Sequence, residues 1–359
     1  MNSSLSIKAI KTRTVDVPIE PLKTASGVIT SCPLVLIEVE TDGNVVGRSY
    51  VFAYTRLCLT PLAELIQNLE GLLVNKSASP FEVSSNLLSA FRLLGTGGLM
   101  AMALGGLDMA LWDAQAKACA CPLVRLLGGE RRKIPVYWSV GMCVASEARN
   151  AAEKALALGC RAMKIKIGHP DFAHDLASIR AVREVAGSTL SLMVDYNQSL
   201  SVPEANRRIQ LLEGESLHWI EEPVLAEDFT GHAEIARQAK TPIQLGENWS
   251  SVLEMAHSIA ARGSDLAMLD VMKIGGVTGW TRAAALAHVY GLPVSSHIFP
   301  EISAHLLAVT PTAHWLEFLD LAGTILKEPA KIENGTLVAN EIPGAGMDWK
   351  ESEVEKYGL

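Results

Sequence analysis

Arg161-Ala-Met-Lys-Ile-Lys-Ile-Gly168 decides how this chain is read. It has the pattern of a short buried β-strand closed by a glycine. Successive strand residues face opposite ways, so Lys164 and Lys166 share one face and Met163, Ile165 and Ile167 the other. Two ammonium groups therefore crowd the carboxyl end of an apolar strand. Like charges held close oppose double protonation, so one lysine is expected to have a lowered pKa and to serve as a general base. An isolated Lys-x-Lys is ordinarily a solvated edge of a sheet. Further ionisable residues, recurring at intervals along the chain, overturn that reading.

Strand patterns alternate with amphipathic helices from residue 131 onward. The strands read as Ile134–Ser139, Ala162–Ile167, Leu190–Asp195, Trp219–Glu222, Ile243–Glu247, Leu266–Asp270, Val294–His297 and Trp315–Glu317. Helices are expected between them, for example over Glu147–Leu158, Asp175–Val185 and Thr281–Val289. Eight such strands spaced roughly every 21 to 29 residues predict an α/β fold, a (β/α)8-type barrel. A doubly wound sheet also alternates, but no Gly-x-Gly-x-x-Gly follows an early strand.

Upstream, Leu34–Glu40 and Gly47–Ala53 read as a hairpin around Thr41-Asp-Gly-Asn44, and residues 60 to 128 read as helices. The Ala-, Leu- and Met-rich run Leu99–Lys117 suits a helix buried between layers, with Asp108 and Asp113 as structural acids. Pro21-Leu-Lys-Thr-Ala-Ser-Gly-Val-Ile29 reads as a loop whose Leu22, Val28 and Ile29 need cover, either from their own domain or from a ligand beneath a closing flap. These features predict an α+β capping domain over residues 1–130, a barrel over 131–322, and a segment 323–359 that returns to the cap.

The chain has 359 residues, a formal charge of −8, 49% hydrophobic residues and a mean hydropathy of +0.22. That length favours two domains, and that charge excludes nucleic acid as a natural partner. No run of about 20 apolar residues suits a membrane span, and residues 1–10 lack a secretion signal. The six cysteines are scattered without a Cys-x-x-Cys pair, which fits reduced thiols in a cytoplasmic protein.

A barrel builds its active site at the carboxyl ends of its strands. Here those ends carry Lys164 and Lys166, Asp195 with Asn197, Glu221 or Glu222, Glu247, Asp270, His297 and Glu317. Ionisable residues at seven consecutive strand ends are costly inside a packed barrel unless they build a site. Asp195, Glu221 and Glu247, on adjacent strands, suit a hard cation. An all-oxygen set favours Mg2+ over zinc. Asp270 can hold one nitrogen of His297 and raise the basicity of the other. A lysine and a histidine on opposite sides of a metal can remove a proton from one face of a carbon and return it to the other. That is racemisation, or abstraction and elimination, beside a carboxylate. Lys164 adds positive charge, and a protonated Glu317 could donate a hydrogen bond to the same carboxylate.

At these residues the chain resembles the enolase superfamily, in its mandelate racemase subgroup, over essentially its whole length. The resemblance is carried by Lys164-Ile-Lys166, Val194-Asp-Tyr-Asn-Gln-Ser199, Trp219-Ile-Glu-Glu-Pro223 and Gly246-Glu-Asn-Trp249. It continues through Met272–Trp280, Ser295-Ser-His297, Glu301–Leu307 and Pro311–Glu317. It implies a modified (β/α)7β barrel and Mg2+ held by Asp195, Glu221 and Glu247. It implies Lys166 as the base toward (S)-mandelate and His297, tuned by Asp270, as the base toward (R)-mandelate. Lys164 and Glu317 would bind the substrate carboxylate, and Asn197 would act near the hydroxyl. A homo-oligomer, an octamer by resemblance, is also implied. The family's flap is lined with valine, whereas this chain has Leu22, Ser26 and Ile29. Ile298 and Leu319 would complete the apolar wall, with Phe52 and Tyr54 from the hairpin. Ser139 keeps its place in the substrate site, while Val140-Gly-Met142 depart from the family.

The expected function is racemisation of mandelate or a related aryl 2-hydroxy acid. The main alternative is dehydration of an acid sugar, which uses much the same bases and metal. Cycloisomerisation of a muconate-like acid with Lys273 as base, and a catalytically silent scaffold, are the remaining readings. His297 with Asp270 argues against the first, and the buried charges against the second.

Overall fold

The computed structural model describes residues 5–24 and 27–359; Ala25 and Ser26 of the expected flap lie outside the described residues. Three antiparallel strands open the chain: β1 (Ile7–Thr24), β2 (Gly27–Thr41) and β3 (Val46–Phe52). Apolar residues of β2 pair with those of β1 and β3, and Leu34 to Ile37 are completely buried or nearly so.

Within the stretch read as a loop, Pro21–Thr24 and Gly27–Ile29 instead belong to β1 and β2, at the end of their ribbon. Leu22 pairs with Ile29 and Lys23 with Val28, after a register shift between Pro18 and Leu22. Ladder hydrogen bonds of a two-stranded ribbon need no apolar alternation, so the periodicity that marks other strands is missing here. Val28 stays 61% exposed and is not covered.

The helix Leu99–Ala118 lies between this sheet and the barrel, and most of its residues are buried. Its small residues allow that. A Cβ on Gly105 would come within 2.0 Å of Met272 O in the barrel, and one on Gly47 within 2.0 Å of Ala110 O in the helix. Asp108 and Asp113 are structural tethers. Asp108 accepts from Thr278 N, and Asp113 accepts from Arg48 N and Ala345 N.

Eight parallel strands follow: β4 (Ile134–Met142), β5 (Ala162–Lys166), β6 (Ser191–Asp195), β7 (Trp219–Glu221), β8 (Ile243–Leu245), β9 (Leu266–Asp270), β10 (Val294–His297) and β11 (Leu316–Phe318). They pair in the order β10-β9-β8-β7-β6-β5-β4-β11. The ring closes between its ends through His314 N to Val294 O at 2.8 Å and Ser296 N to Trp315 O at 3.0 Å. Helices 145–157, 172–186, 202–212, 229–238, 252–261, 276–290 and 300–309 join consecutive strands, which makes the barrel (β/α)7β. Tyr137, Ala162, Met193, Trp219 and Met268 fill the interior as a separate apolar plug. The functional side chains stand on that plug, at the carboxyl end.

Residues after Phe318 run back across both parts. The short β12 (Thr336–Leu337) pairs with β4, and the helix Glu351–Tyr357 packs against β1. Trp349 is buried beneath the guanidinium groups of Arg13 and Arg48, 5.4 and 4.7 Å from its ring. Among the described residues, no helix is long and apolar enough to cross a membrane.

Candidate active site

Lys164 and Lys166 both point into the barrel mouth, while Met163 and Ile165 pack outward against the helices. The expectation of a lowered lysine pKa fails. Burial, the strongest single influence on each, acts downward, but carboxylates more than reverse it. Lys164 Nζ lies 2.7 Å from Glu221, 3.1 Å from Glu317 and 3.8 Å from Asp195, and its pKa is held well above the ordinary value. Lys166 Nζ lies 2.5 Å from Asp195 Oδ2 and is also raised. Asp195, Glu221, Glu247 and Glu317 act on these two lysines, so opposite charge outweighs lysine–lysine repulsion.

Asp195 ends β6. Its Oδ1 accepts from Asn197 N at 2.7 Å and its Oδ2 from Asn197 Nδ2 at 3.0 Å. Of the two adjacent glutamates, Glu221 turns toward the lysines, and Trp219 Nε1 donates to its Oε2 at 3.0 Å. Glu222, at φ 37°, turns aside and accepts twice from Asn248 Nδ2. The strand reaching to Glu247 stops two residues short, at Leu245. Gly246 makes the turn at φ 127°, where a Cβ would meet Met268 O at 2.3 Å, and this bend delivers Glu247 to the others.

Oxygens of Asp195, Glu221 and Glu247 all lie within 4.8 Å of one another. The arrangement fits a hard divalent cation. The donors are all oxygen, and burial with Asp195 and Glu247 nearby raises Glu221 well above the usual carboxylate range despite Lys164. Among the described residues Glu247 Oε2 accepts no hydrogen bond, and His297 Nε2 lies 3.4 Å from it.

His297 closes β10. Its Nδ1 is 2.7 Å from Asp270 Oδ2 on the neighbouring strand, and Lys273 N donates to the other Asp270 oxygen at 3.0 Å. Burial lowers the imidazole pKa, but Glu247, Asp270 and Glu317 raise it further, so the net shift is upward. Glu317, expected to donate if protonated, is shifted toward the charged form. Burial alone would raise it, but Lys164 and His297 bring it down to about 2. Its Oε2 accepts from Ile298 N at 2.9 Å.

Some of these groups border a chamber of about 390 Å3, while Lys164, Asp195, Glu221, Asp270 and Glu317 lie behind its lining. Lys166, Asn197, Glu247 and His297 line it from the barrel. Leu22, Ile29, Tyr54, Ile298 and Leu319 line its mouth, as expected for an apolar wall, together with Phe52. Ser139 does not reach it. That side chain lies in register with Lys164 and lines a neighbouring cavity of about 860 Å3, beyond Leu22 and Leu319. Gln198, Asn248 and Lys273 were not expected to line the chamber together, yet they form its polar side. Asn248 directly follows Glu247, and Gln198 directly follows Asn197. Adjacency to an expected site residue was the available signal.

Comparison with known proteins agrees with this geometry. Residues 7–128 match the mandelate racemase / muconate lactonizing enzyme N-terminal domain, and residues 147–353 match the enolase C-terminal domain-like family. A 3,6-anhydro-alpha-L-galactonate cycloisomerase of Streptomyces coelicolor is 29% identical, over 95% of this chain and 96% of that one. An L-talarate/galactarate dehydratase of Salmonella typhimurium is 31% identical over 75% of this chain and 69% of that one. The crystal structure of an enolase from Bradyrhizobium, complexed with magnesium and mandelic acid, superposes with a TM-score of 0.97 at 46% identity over the whole of both chains.

Proposed function

The chain belongs to the mandelate racemase / muconate lactonizing enzyme branch of the enolase superfamily, and from that premise we propose that it is a Mg2+-dependent enzyme that removes the α-proton of a 2-hydroxy acid. The reaction is racemisation of mandelate or a related aryl acid. The observation that carries this reading is the pair of bases on one chamber. Lys166 comes from β5 and His297 from β10, three strands away round one side of the ring and five round the other.

The acid's carbon lies between them, with one face toward each. A cation at Asp195 and Glu247 would offset the carboxylate charge that raises both bases. Lys166 then takes the proton of one enantiomer and His297 Nε2 that of the other, and delivery by the opposite base completes the inversion. Asp270 holds Nδ1 of His297, which leaves Nε2 directed at the chamber. Lys164, anchored by Glu317, lies beside the substrate carboxylate, and Asn197 beside the hydroxyl. Mg2+ held by Asp195, Glu221 and Glu247 supplies positive charge against the oxygens on which negative charge grows. The apolar lining from Leu22, Ile29, Phe52 and Leu319 suits an aryl group.

A second reading is favoured by the polar side of the same chamber. There, loss of the α-proton and of a 3-hydroxyl as water would convert an acid sugar into its 2-keto-3-deoxy acid. Gln198, Asn248 and Lys273 offer the hydrogen-bonding groups that such a chain needs.

Proton exchange in deuterium oxide, followed by NMR for each enantiomer separately, tests the two-base assignment. His297→Asn should abolish racemisation but retain exchange of the (S)-acid; a neutral residue at Lys166 should do the reverse. Equal loss of exchange for both enantiomers in His297→Asn, with metal still bound, would refute it.

A further inference from the structure

Two strands on opposite sides of the ring are entered through the same four-residue pattern. It reads His218-Trp-Ile-Glu221 at β7 and His314-Trp-Leu-Glu317 at β11. Round the closed ring these strands are four steps apart in either direction. The two glutamates stand at the carboxyl ends, in the active site. The two histidines lie at the amino end of the barrel, on the far side of the apolar plug, and the reaction makes no use of them.

Their rings meet. His218 Nε2 is 3.4 Å from His314 Nε2, and the ring centres are 5.3 Å apart. Trp315 Nε1 donates to the same His218 nitrogen at 3.4 Å, so that nitrogen presents a lone pair. Both contacts are longer than ordinary hydrogen bonds. His314 Nδ1 is a buried atom with no partner among the described residues. Ring packing alone does not bring two nitrogens face to face. Nor does a carboxylate act on either ring among the described residues. Burial lowers both imidazoles, and His218 adds to it in bringing His314 down to about 4. Both are thus shifted toward the neutral form, which is the form that ligates metal.

The spacing has a simple geometric meaning. Two imidazole nitrogens bound to one tetrahedral ion at about 2.0 to 2.1 Å stand about 3.3 to 3.4 Å apart. The pair already has that separation, so binding needs little movement of either ring. Both side chains are only half-buried and can be reached from solvent.

We propose that His218 and His314 form a second metal site, at the amino end of the barrel, for a transition ion such as Zn2+ or Cu2+, with water completing the coordination. Imidazole suits these ions, whereas the all-oxygen set of the active site suits Mg2+. The site is independent of the reaction proposed above. An ion held there links opposite strands of the barrel and stabilises the fold by mass action.

The test uses the full-length protein saturated with Mg2+, which keeps the carboxylate site occupied, and titrates it with Zn2+ by calorimetry. The parent should bind Zn2+ and melt at a higher temperature with it. His218→Gln and His314→Gln should each weaken that binding at least about tenfold and lose the melting shift. Zn2+ taken up elsewhere, for instance at the exposed Cys119, is common to parent and variants and cancels. Zn2+ affinity and melting shift unchanged in either variant would overturn the pair. Melting without Zn2+ checks that the variants fold. Where they do not, electron paramagnetic resonance of the Mg2+-saturated parent with one equivalent of Cu2+ judges the site. Splitting from two imidazole nitrogens is expected, and a signal without nitrogen splitting would overturn it.

Discussion

Around the barrel mouth several side chains are held on strained backbone. Tyr54, Asn197, Gln198, Glu222, Ile298 and Phe299 all have φ between 37° and 64°. For a β-branched residue such as Ile298 this region is costly. Its N–H bond to Glu317 helps to hold it there. Residue-scale electrostatics also reaches beyond the site. Glu301 is buried where cap meets barrel and accepts from the Tyr50 hydroxyl at 2.9 Å. Burial first, then Asp320, pushes it up to about 7 from an ordinary 4.5, despite the Tyr50 bond. A carboxyl raised by folding destabilises the folded state as pH rises. The penalty is absent below the unfolded value, grows through the interval between 4.5 and about 7, and is constant above it. Glu301→Gln should therefore flatten the fall in melting temperature between about pH 5 and pH 7.5. An unchanged slope would mean that Glu301 is ionised in the fold.

At the scale of elements, the β1–β2 ribbon controls what the chamber admits. Leu22 and Ile29 are cross-strand partners at its tip, and both line the chamber. Leu22→Ala or Ile29→Ala should shift kcat/KM among ring-substituted mandelates by several-fold, about 1 kcal/mol per lost contact, and change lactate less. A mutant that treats mandelate and lactate in the parental proportion would show that the tip does not select the aryl group. The helix Leu99–Ala118 plays a complementary part. Gly105 and Gly47 allow close backbone approach on its two sides, so it fixes the separation between cap sheet and barrel.

For the whole molecule, cap and barrel are tied from both ends of the chain. The C-terminal segment places Trp349 under Arg13 and Arg48, and Glu351 pairs with Arg13 at 2.6 Å. The carboxylates at the barrel mouth repel one another in the folded state, so a cation that binds there stabilises the fold by mass action. At 100 times its dissociation constant the gain is about 2.7 kcal/mol. Chelation should abolish turnover and lower the melting temperature, and Mg2+ should restore both. Asp195→Asn with Glu221→Gln should not respond to Mg2+ in either measurement. Full activity and unchanged melting in metal-free protein would remove the metal site.

Strand alternation and spacing were enough to predict the barrel, because eight apolar strands, seven of them with an ionisable residue at or near the carboxyl end, repeat a local, one-dimensional pattern. The same pattern marked Lys166, Asp195, Asp270 and His297, since each ends its strand. Folding alone decided what depends on turns and on groups distant in the chain. The flap tip is a ribbon because its ladder uses backbone bonds, which leave no side-chain period. Glu221 rather than Glu222 faces the lysines because the chain turns at positive φ immediately after the strand. Both lysine pKa values rise because Asp195, Glu221, Glu247 and Glu317, from other parts of the barrel, surround them, a balance that neighbouring residues in sequence do not contain. Gln198, Asn248 and Lys273 became one wall only when the loops after β6, β8 and β9 met, and side chains brought together by ring closure carry no mark of that meeting in the order of residues.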